Sequence, residues 1–345
     1  MGKFEPEGLD LDGKVILVTG GTGSFGKRFI ETVLSRHSPR KVIVYSRDEL
    51  KQHDMQIELR EKVPPETFGK MRFFLGDVRD RLRLTLALRG VDIVIHAAAL
   101  KQVPAAEYNP SECIHTNVIG AENVVWASLN NRVSQVVALS TDKACNPVNL
   151  YGATKLASDK TFVAANNLSG DIGTRFSVVR YGNVVGSRGS VVPLYRRLLA
   201  AGAGKLPITD DRMTRFWITL PQGVDFVLSS LTVMRGGEIF VPKIPSMKMT
   251  DLVHAMAPGA GIEIVGIRPG EKLHETMVSA DDARQTVELS DRYVIEPAFV
   301  EYPRKPFAGE AASKAVDEGF SYASDNNSDW LSADGLMAML EESGA

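Results

Sequence analysis

Residues 15–26 read Val-Ile-Leu-Val-Thr-Gly-Gly-Thr-Gly-Ser-Phe-Gly, a short apolar run that leads directly into a glycine-rich turn. Glycines at positions 20, 23 and 26 permit a tight turn, the approach of a pyrophosphate to the backbone, and close packing of the following helix. A helix that begins there points its free N–H groups at an anionic ligand. Because the motif lies between a strand and a helix near the N-terminus, it predicts a dinucleotide site rather than a simple turn.

The alternation of strands and helices continues beyond this motif. Segments 25–36 and 111–129 place apolar residues at helical intervals. Short runs rich in β-branched residues, typical of strands buried on both faces of a parallel sheet, occur at 42–45, 72–75, 93–96, 136–139 and 176–179. The pattern predicts an α/β fold with a doubly wound parallel sheet of the Rossmann type.

The pattern becomes looser after Gly182, where glycine and proline interrupt the chain. A helix-like segment at 221–235 and a strand-like run at 239–241 then restore it. We therefore expect residues 1–182 to form the dinucleotide-binding domain and the segment at about 220–242 to return to its sheet once. Residues 183–219 and 243–345 are expected to form a smaller, C-terminal substrate-binding region.

Composition excludes several classes of protein. The 345 residues carry a formal net charge of −2, which gives no support to a nucleic-acid partner. Cys113 and Cys145 are too few for a disulfide framework and lack metal-ligand spacing, which favours a reducing compartment. No apolar stretch is typical of a signal peptide or a membrane span. We expect a cytoplasmic protein without a metal or a membrane partner.

The end of the second predicted strand bears on which dinucleotide binds. An NAD site favours a carboxylate there, to bind the ribose hydroxyls. This chain has Ser46-Arg47-Asp48, with Lys51 one turn later. Arg47 is suited to a 2′-phosphate and Ser46 adds a donor, so we predict NADP although Asp48 is also present. The other predicted cofactor contacts lie at or after the ends of the successive strands: Gly20, Thr22, Gly23, Ser24, Phe25, Gly26, Asp77, Val78, Ala97, Ala99, Lys101, Ser140, Tyr151 and Lys155.

A catalytic group is predicted after the fifth strand. Tyr151 and Lys155 are four residues apart and therefore share one face of a helix. A lysine and a nicotinamide ring beside the tyrosine would lower its pKa, so that the phenol accepts a proton from a hydroxyl group. Thr141 can bind the same substrate oxygen. Such a pair is often an ordinary surface pair, but its position after the glycine motif favours catalysis.

These residues resemble the extended short-chain dehydrogenase/reductase superfamily over nearly the whole chain. Several strings are similar, more closely, to the inverting UDP-N-acetylglucosamine 4,6-dehydratases that open pseudaminic acid biosynthesis. They lie at 19–26, 46–52, 98–104, 140–144, 183–190 and 268–275. The resemblance implies a lyase that binds UDP-N-acetylglucosamine and assembles as a homo-oligomer, a dimer or a hexamer.

The resemblance also implies a mechanism in which Tyr151 takes the C4 hydroxyl proton while hydride passes to NADP. Lys143 stands where ordinary 4,6-dehydratases have a glutamate base, and it would remove the C5 proton. That step requires a neutral lysine, with its pKa lowered by burial or by cationic neighbours. A protonated Asp142 would release the C6 hydroxyl as water. Hydride return to C6 and reprotonation of C5 from the opposite face would complete the inversion.

The same resemblance implies a set of contacts to the sugar nucleotide. Arg215 and Arg268 are the expected phosphate cations, because guanidinium groups suit phosphate oxygens. Glu271 would accept hydrogen bonds from the uridine ribose. The remaining expected contacts are Lys101, beside the nicotinamide, and Asn183, Val184, Ser190 and Val191 in or near the loop that follows the sixth strand.

Three alternatives remain open. A UDP-sugar C4-epimerase or decarboxylase would keep Tyr151 and Lys155 but has no evident use for Asp142 and Lys143. A C5-retaining 4,6-dehydratase differs only in the configuration of its product. A non-catalytic NADP-binding regulator would be expected to lack Thr141, Tyr151 or Lys155, and all three are present.

Overall fold

The computed structural model describes residues 4–186 and 190–343. The strands, β1 to β17 in chain order, are Val15–Thr19, Lys41–Ser46, Met71–Leu75, Ile93–His96, Gln135–Thr141, Arg175–Tyr181, Asn183–Val184, Lys205–Ile208, Thr214–Ile218, Ile239–Pro242, Ser246–Lys248, Gly261–Ile264, Thr276–Val278, Thr286–Glu288, Arg292–Ile295, Lys314–Ala315 and Tyr322–Ala323. The α-helices, α1 to α12, are Ser24–Arg36, Glu49–Lys62, Pro65–Phe68, Arg81–Ala87, Val103–Tyr108, Pro110–Ile114, Gly120–Asn130, Leu150–Ser169, Val191–Ala200, Leu220–Val233, Met249–Met256 and Ala333–Glu342.

The largest sheet has ten strands in the order β16-β14-β15-β10-β6-β5-β4-β1-β2-β3. The strands from β3 to β10 pair in parallel, and β15, β14 and β16 extend the sheet antiparallel. Chain order reverses between β1 and β4, and at such a point the connections leave in opposite directions and open a crevice. The predicted doubly wound α/β fold is confirmed.

The central strands are buried along their length because helices cover both faces of the sheet. Every residue of β1 and β4 is buried, which explains their β-branched, apolar sequence. Helix α1 buries Phe29, Ile30 and Val33 on its inner face. Helices α7 and α8 pack against each other, and α8 also lies against β5 and β6. This packing holds the carboxyl ends of the strands in one row.

The second half of the chain rejoins the main sheet more than once. Helix α10 and strand β10 follow residue 219, and β10 pairs with β6 in parallel. Three later strands, β14, β15 and β16, also join this sheet, which the expectation of a single return did not include. Their strand sequences are only two to four residues long, too short for a clear pattern.

A smaller layer lies beside the main sheet and has its own core. It contains the sheets β11-β9-β7 and β12-β8, with α9, α11 and α12. Its apolar cluster includes Val192, Tyr195, Trp217, Leu252 and Leu336. Among the described residues, no helix has both the length and the apolar character needed to cross a bilayer.

Candidate active site

A cleft of about 690 Å³ opens at the carboxyl ends of the parallel strands. It includes every residue that was predicted to contact the cofactor: Gly20, Thr22, Gly23, Ser24, Phe25, Gly26, Ser46, Arg47, Asp48, Lys51, Asp77, Val78, Ala97, Ala99, Lys101, Ser140, Tyr151 and Lys155. The fold brings them together because each follows the end of a neighbouring parallel strand, apart from Tyr151 and Lys155 on α8.

The glycine turn forms one end of this cleft. Gly20 has a φ of +65°, and a Cβ there would lie 2.9 Å from the Ala98 Cα. A Cβ on Gly26 would lie 2.5 Å from the Gly21 Cα, so α1 packs on the turn only with glycine at that position. Gly23 precedes α1 and supplies no side-chain cap. The first N–H groups of the helix therefore remain available to an anion, and the turn fits a pyrophosphate.

The residues after β2 differ in how firmly they are held. Ser46 Oγ accepts a hydrogen bond from Gln52 Nε2 at 3.0 Å, which leaves the serine proton free to be donated. Asp48 caps α2 and pairs with Lys51 Nζ at 2.9 Å. The hydrogen bonds from the Lys51 backbone and side chain lower the pKa of Asp48. The Arg47 side chain is 53% exposed, and its Nη1 lies 3.5 Å from Asp77 Oδ2.

Tyr151 and Lys155 are buried in the first two turns of α8. Burial raises the pKa of Tyr151 to about 12, although the charge of Lys143 and a hydrogen bond with Thr141 act in the opposite direction. Burial also lowers the pKa of Lys155. In this structure desolvation outweighs the charge of Lys143, so the lowered phenol pKa, which was expected beside a nicotinamide ring, stays a prediction.

Asp142 and Lys143 form an ion pair at the base of the cleft. Asp142 is completely buried, whereas Lys143 lines the cleft. Asp142 Oδ1 accepts hydrogen bonds from Thr141 Oγ1 at 2.9 Å and from Lys143 Nζ at 3.0 Å. Burial lowers the pKa of Lys143, but the carboxylates of Asp142 and Glu275 outweigh it, and the pKa is raised. Lys143 is therefore charged and paired in this structure, and the neutral amine that the C5 step requires stays a prediction.

Two residues that the sequence did not single out connect elements around the cleft. Glu275 is 2% exposed, and its Oε1 lies 3.3 Å from Lys143 Nζ. It belongs to the string at 268–275, in which only Arg268 and Glu271 are predicted contacts. Asn117 lies in a π-helical turn, His115–Ile119, that interrupts the regular helix expected at 111–129. Its amide bonds both backbone groups of Leu100 and the Thr154 hydroxyl, which ties the loop after β4 to α8.

The expected substrate contacts divide into two groups. Lys101, Asn183, Val184 and Ser190 line the cleft. Ser190 Oγ is buried and has no hydrogen-bond partner among the described residues, and Val191 begins α9 directly after it. Residues 187–189 of the same predicted loop lie outside the described residues.

Arg215, Arg268 and Glu271 do not line the cleft. The Arg215 guanidinium donates to the backbone carbonyls of Thr214, Lys272 and Leu273 at 2.7–3.0 Å. Arg268 is 62% exposed in its side chain and lies 3.8 Å from Glu271. The sequence gives no sign that backbone carbonyls occupy the donors of the Arg215 guanidinium, which was expected to bind phosphate.

A family model described as "Polysaccharide biosynthesis protein" matches residues 16–297. A Campylobacter jejuni protein named UDP-N-acetylglucosamine 4,6-dehydratase (inverting) is 57% identical over 335 residues, covering 96% of this chain and 98% of that protein. A Rickettsia akari protein named UDP-glucose 4-epimerase is 42% identical over 289 residues, 82% of each chain. The X-ray structure of Pen from Bacillus thuringiensis has a TM-score of 0.85 and 34% identity, covering 97% of this chain and 99% of that one. The chain therefore belongs to the polysaccharide biosynthesis protein family of extended short-chain dehydrogenases/reductases.

Proposed function

We propose that this chain is a C5-inverting UDP-N-acetylglucosamine 4,6-dehydratase, a lyase that forms UDP-2-acetamido-2,6-dideoxy-L-arabino-hex-4-ulose. The observation that carries the proposal is the Asp142–Lys143 pair, joined at 3.0 Å beside the cleft that Tyr151 also lines. An acid and a base side by side are what an elimination of water requires. The Campylobacter relative with this activity in its name supports the assignment along nearly the whole chain.

NADP is the cofactor we propose, held by the glycine turn and by the residues after β2, β3 and β4. When bound, it supplies the acceptor of hydride from C4 and later the donor of hydride to C6. The available Ser46 proton and the exposed Arg47 guanidinium support recognition of a 2′-phosphate. Asp48 supports it indirectly, because its carboxylate already serves α2 and Lys51.

Tyr151 is proposed to accept the proton of the C4 hydroxyl, with Thr141 bonding the same oxygen. The phenolate form is disfavoured by burial, so it depends on the cationic charge near the ring. Lys143 supplies such a charge from the cleft. Lys155 lies one turn after Tyr151 on the same helix face.

The ion pair can become the acid and the base of the elimination through one proton transfer. Moving a proton from Lys143 Nζ to Asp142 along their 3.0 Å hydrogen bond yields a neutral amine and a protonated carboxyl group. Lys143 then removes the C5 proton, and Asp142 gives its proton to the departing C6 hydroxyl, which leaves as water. The pair returns to its charged form. The proton taken from the C4 hydroxyl balances the one that C5 receives from the opposite face.

The UDP-sugar is proposed to lie against residues 183–219 and 243–345, while residues 1–182 with the segment 220–242 hold the cofactor. The Ser190 hydroxyl lies directly before α9 and has no hydrogen-bond partner within residues 4–186 and 190–343, which supports an anionic group at that helix end. Lys101, Asn183 and Val184 share the cleft. The roles of Val191, Arg215, Arg268 and Glu271 stay predictions from the resemblance, because their side chains lie outside the cleft lining.

Incubation of the purified protein with UDP-N-acetylglucosamine, without added cofactor, tests the proposal. We expect a product that is lighter by one water, with the inverted configuration at C5 by NMR. An unchanged mass would favour the C4-epimerase alternative, and a retained C5 configuration would favour the retaining dehydratase. Absence of any product over a full range of UDP-sugars would favour the regulator.

We also propose that the protein is cytoplasmic and assembles as a homo-oligomer, a dimer or a hexamer. Exposed apolar side chains on α4 and α7 support an assembly, since such patches mark contact surfaces. They are Leu82, Leu86 and Trp126. Light scattering of the purified protein measures the subunit count.

A further inference from the structure

A group of buried and partly buried charged side chains lies at the base of the cleft. This charge cluster consists of Asp142, Lys143, Arg215, Lys272 and Glu275. Glu275 joins its members: its Oε1 lies 3.3 Å from Lys143 Nζ and 3.9 Å from Arg215 Nε, and its Oε2 lies 3.8 Å from Lys272 Nζ. The elimination proposed above uses only Asp142 and Lys143. Glu275 is therefore a buried charge beside the base, and that reaction assigns it no role.

The backbone of Glu275 is held firmly by the C-terminal region. Its N–H donates to Ser324 Oγ at 2.9 Å, and its carbonyl accepts from the Ser324 N–H at 2.8 Å. Strand β13 follows it at once, pairs with β17, and lies against the turn that contains Asp142 and Lys143. The C-terminal region thus holds the Glu275 carboxylate beside the Lys143 amine, which lies in the turn that follows β5.

The burial of Glu275 is costly unless a specific contact requires it. Its Oε2 is buried and accepts no hydrogen bond from the described residues, and the same is true of Asp142 Oδ2. Burial of an ionised carboxylate with incomplete hydrogen bonding disfavours folding. The ion pairs with Lys143, Arg215 and Lys272 offset this cost. Two carboxylates on one amine give Lys143 a fixed position that Asp142, its chain neighbour, cannot set by itself.

We propose that Glu275 is a positioning residue for Lys143, and that it holds the amine at the cleft and retains the proton that the Asp142–Lys143 pair shares. This inference rests on the proposed function. Four side chains act electrostatically on Lys143: Asp142 from the same turn, Glu275 from the segment before β13, Arg215 from β9 and Tyr151 from α8. Loss of the Glu275 charge leaves one carboxylate, Asp142, against the positive charge of Arg215, so Lys143 releases its proton more readily.

Glu275→Gln tests this role, because glutamine keeps the shape and removes the charge. The pair needs its proton for the acid step, so kcat falls on the alkaline side as that proton is lost. We expect this alkaline limb to move to lower pH by about one unit or more in Glu275→Gln. Glu275→Asp keeps the charge on a shorter side chain. It should lower kcat while its alkaline limb stays near that of the wild type.

A second measurement does not depend on turnover. Trace labelling with acetic anhydride, read by mass spectrometry, reports the neutral fraction of each lysine amine. Lys143 is 25% exposed in its side chain, which permits labelling, and the exposed Lys160 is the internal reference. We expect Lys143 labelling at pH 9 to rise about tenfold in Glu275→Gln, since one pKa unit changes the neutral fraction tenfold.

Glu238→Gln is the matched control, because Glu238 is also fully buried and ion-paired, with Arg304 at 3.0 Å, outside the cleft. It should lower the melting temperature and leave both the alkaline limb and Lys143 labelling unchanged. A loss of kcat in Glu275→Gln with unchanged limb and labelling would overturn the inference. If the wild type releases no water, the proposed function fails. The labelling still decides whether Glu275 controls the Lys143 proton.

Discussion

The two sides of the cleft are built in different ways. The cofactor side comes from residues 20–155, and its members follow successive strands of one parallel sheet. The side proposed for catalysis and substrate binding combines Thr141 and Lys143 with Asn183, Val184 and Ser190. Glu275 and Arg215 lie near Lys143, outside the cleft lining. A parallel sheet arranges its strand ends by a general rule, so the first side could be predicted in order. No such rule relates the segments of the second side.

The two sides also differ in the kind of interaction that forms them: backbone geometry on one side and side-chain ion pairs on the other. The glycine turn acts through its backbone, through the positive φ of Gly20 and the close approach of Gly26 to Gly21. The charge cluster acts through ion pairs between segments that are far apart in the chain, such as Lys143 and Glu275. A change on one side should therefore leave the other largely intact, and the following variants test that separation.

Lys143→Ala should have the largest effect. It removes the proposed base, and we expect kcat for water loss to fall about 10³-fold, within the usual range for general acid–base residues. The content of bound cofactor should stay near that of the wild type, because the glycine turn is unchanged. Product mass and released nucleotide measure the two quantities. Lys160→Ala, an exposed lysine on α8, is the control. A joint loss of cofactor and activity would contradict the separation of the two sides.

Gly26→Ala should have an intermediate effect, confined to the cofactor side. The new Cβ would meet the Gly21 backbone at 2.5 Å, and such overpacking costs about 1–3 kcal/mol of unfolding free energy. We expect a lower melting temperature and weaker dinucleotide binding, both measurable by thermal unfolding with added cofactor. Gly223→Ala in α10 is the matched control, because its Cβ meets nothing within 4 Å. A stability equal to that of the control would refute the packing argument.

Arg47→Ala should have the smallest effect and should sharpen the cofactor assignment. Loss of an exposed guanidinium from a 2′-phosphate should weaken NADP binding about tenfold, equivalent to about 1.4 kcal/mol. NAD binding should not change. Calorimetric titration of both nucleotides into the cofactor-free protein separates them. Arg60→Ala in α2 is the control, because Arg60 lies over the Phe68 ring and does not line the cleft. An equal loss for both nucleotides would argue against NADP.

Some of the site was predictable because its signals are local. The glycine motif, the strand ends and the Tyr151–Lys155 spacing each depend on a few neighbouring residues, and all of them line one cleft. The protonation states were not predictable in the same way. Burial raises the pKa of Tyr151, whereas Asp142 and then the distant Glu275 raise the pKa of Lys143 against the effect of burial.

The sequence by itself determined the alternation of strands and helices in the first half of the chain, the glycine turn, and the helical spacing of Tyr151 and Lys155. Local periodicity and residue chemistry are enough for those conclusions. Only the tertiary structure decided that β14, β15 and β16 extend the sheet, that Asn117 lies in a π-helical turn, and that Glu275 reaches Lys143. The reason is physical: electrostatic coupling and desolvation depend on distance in space, and chain separation does not encode that distance.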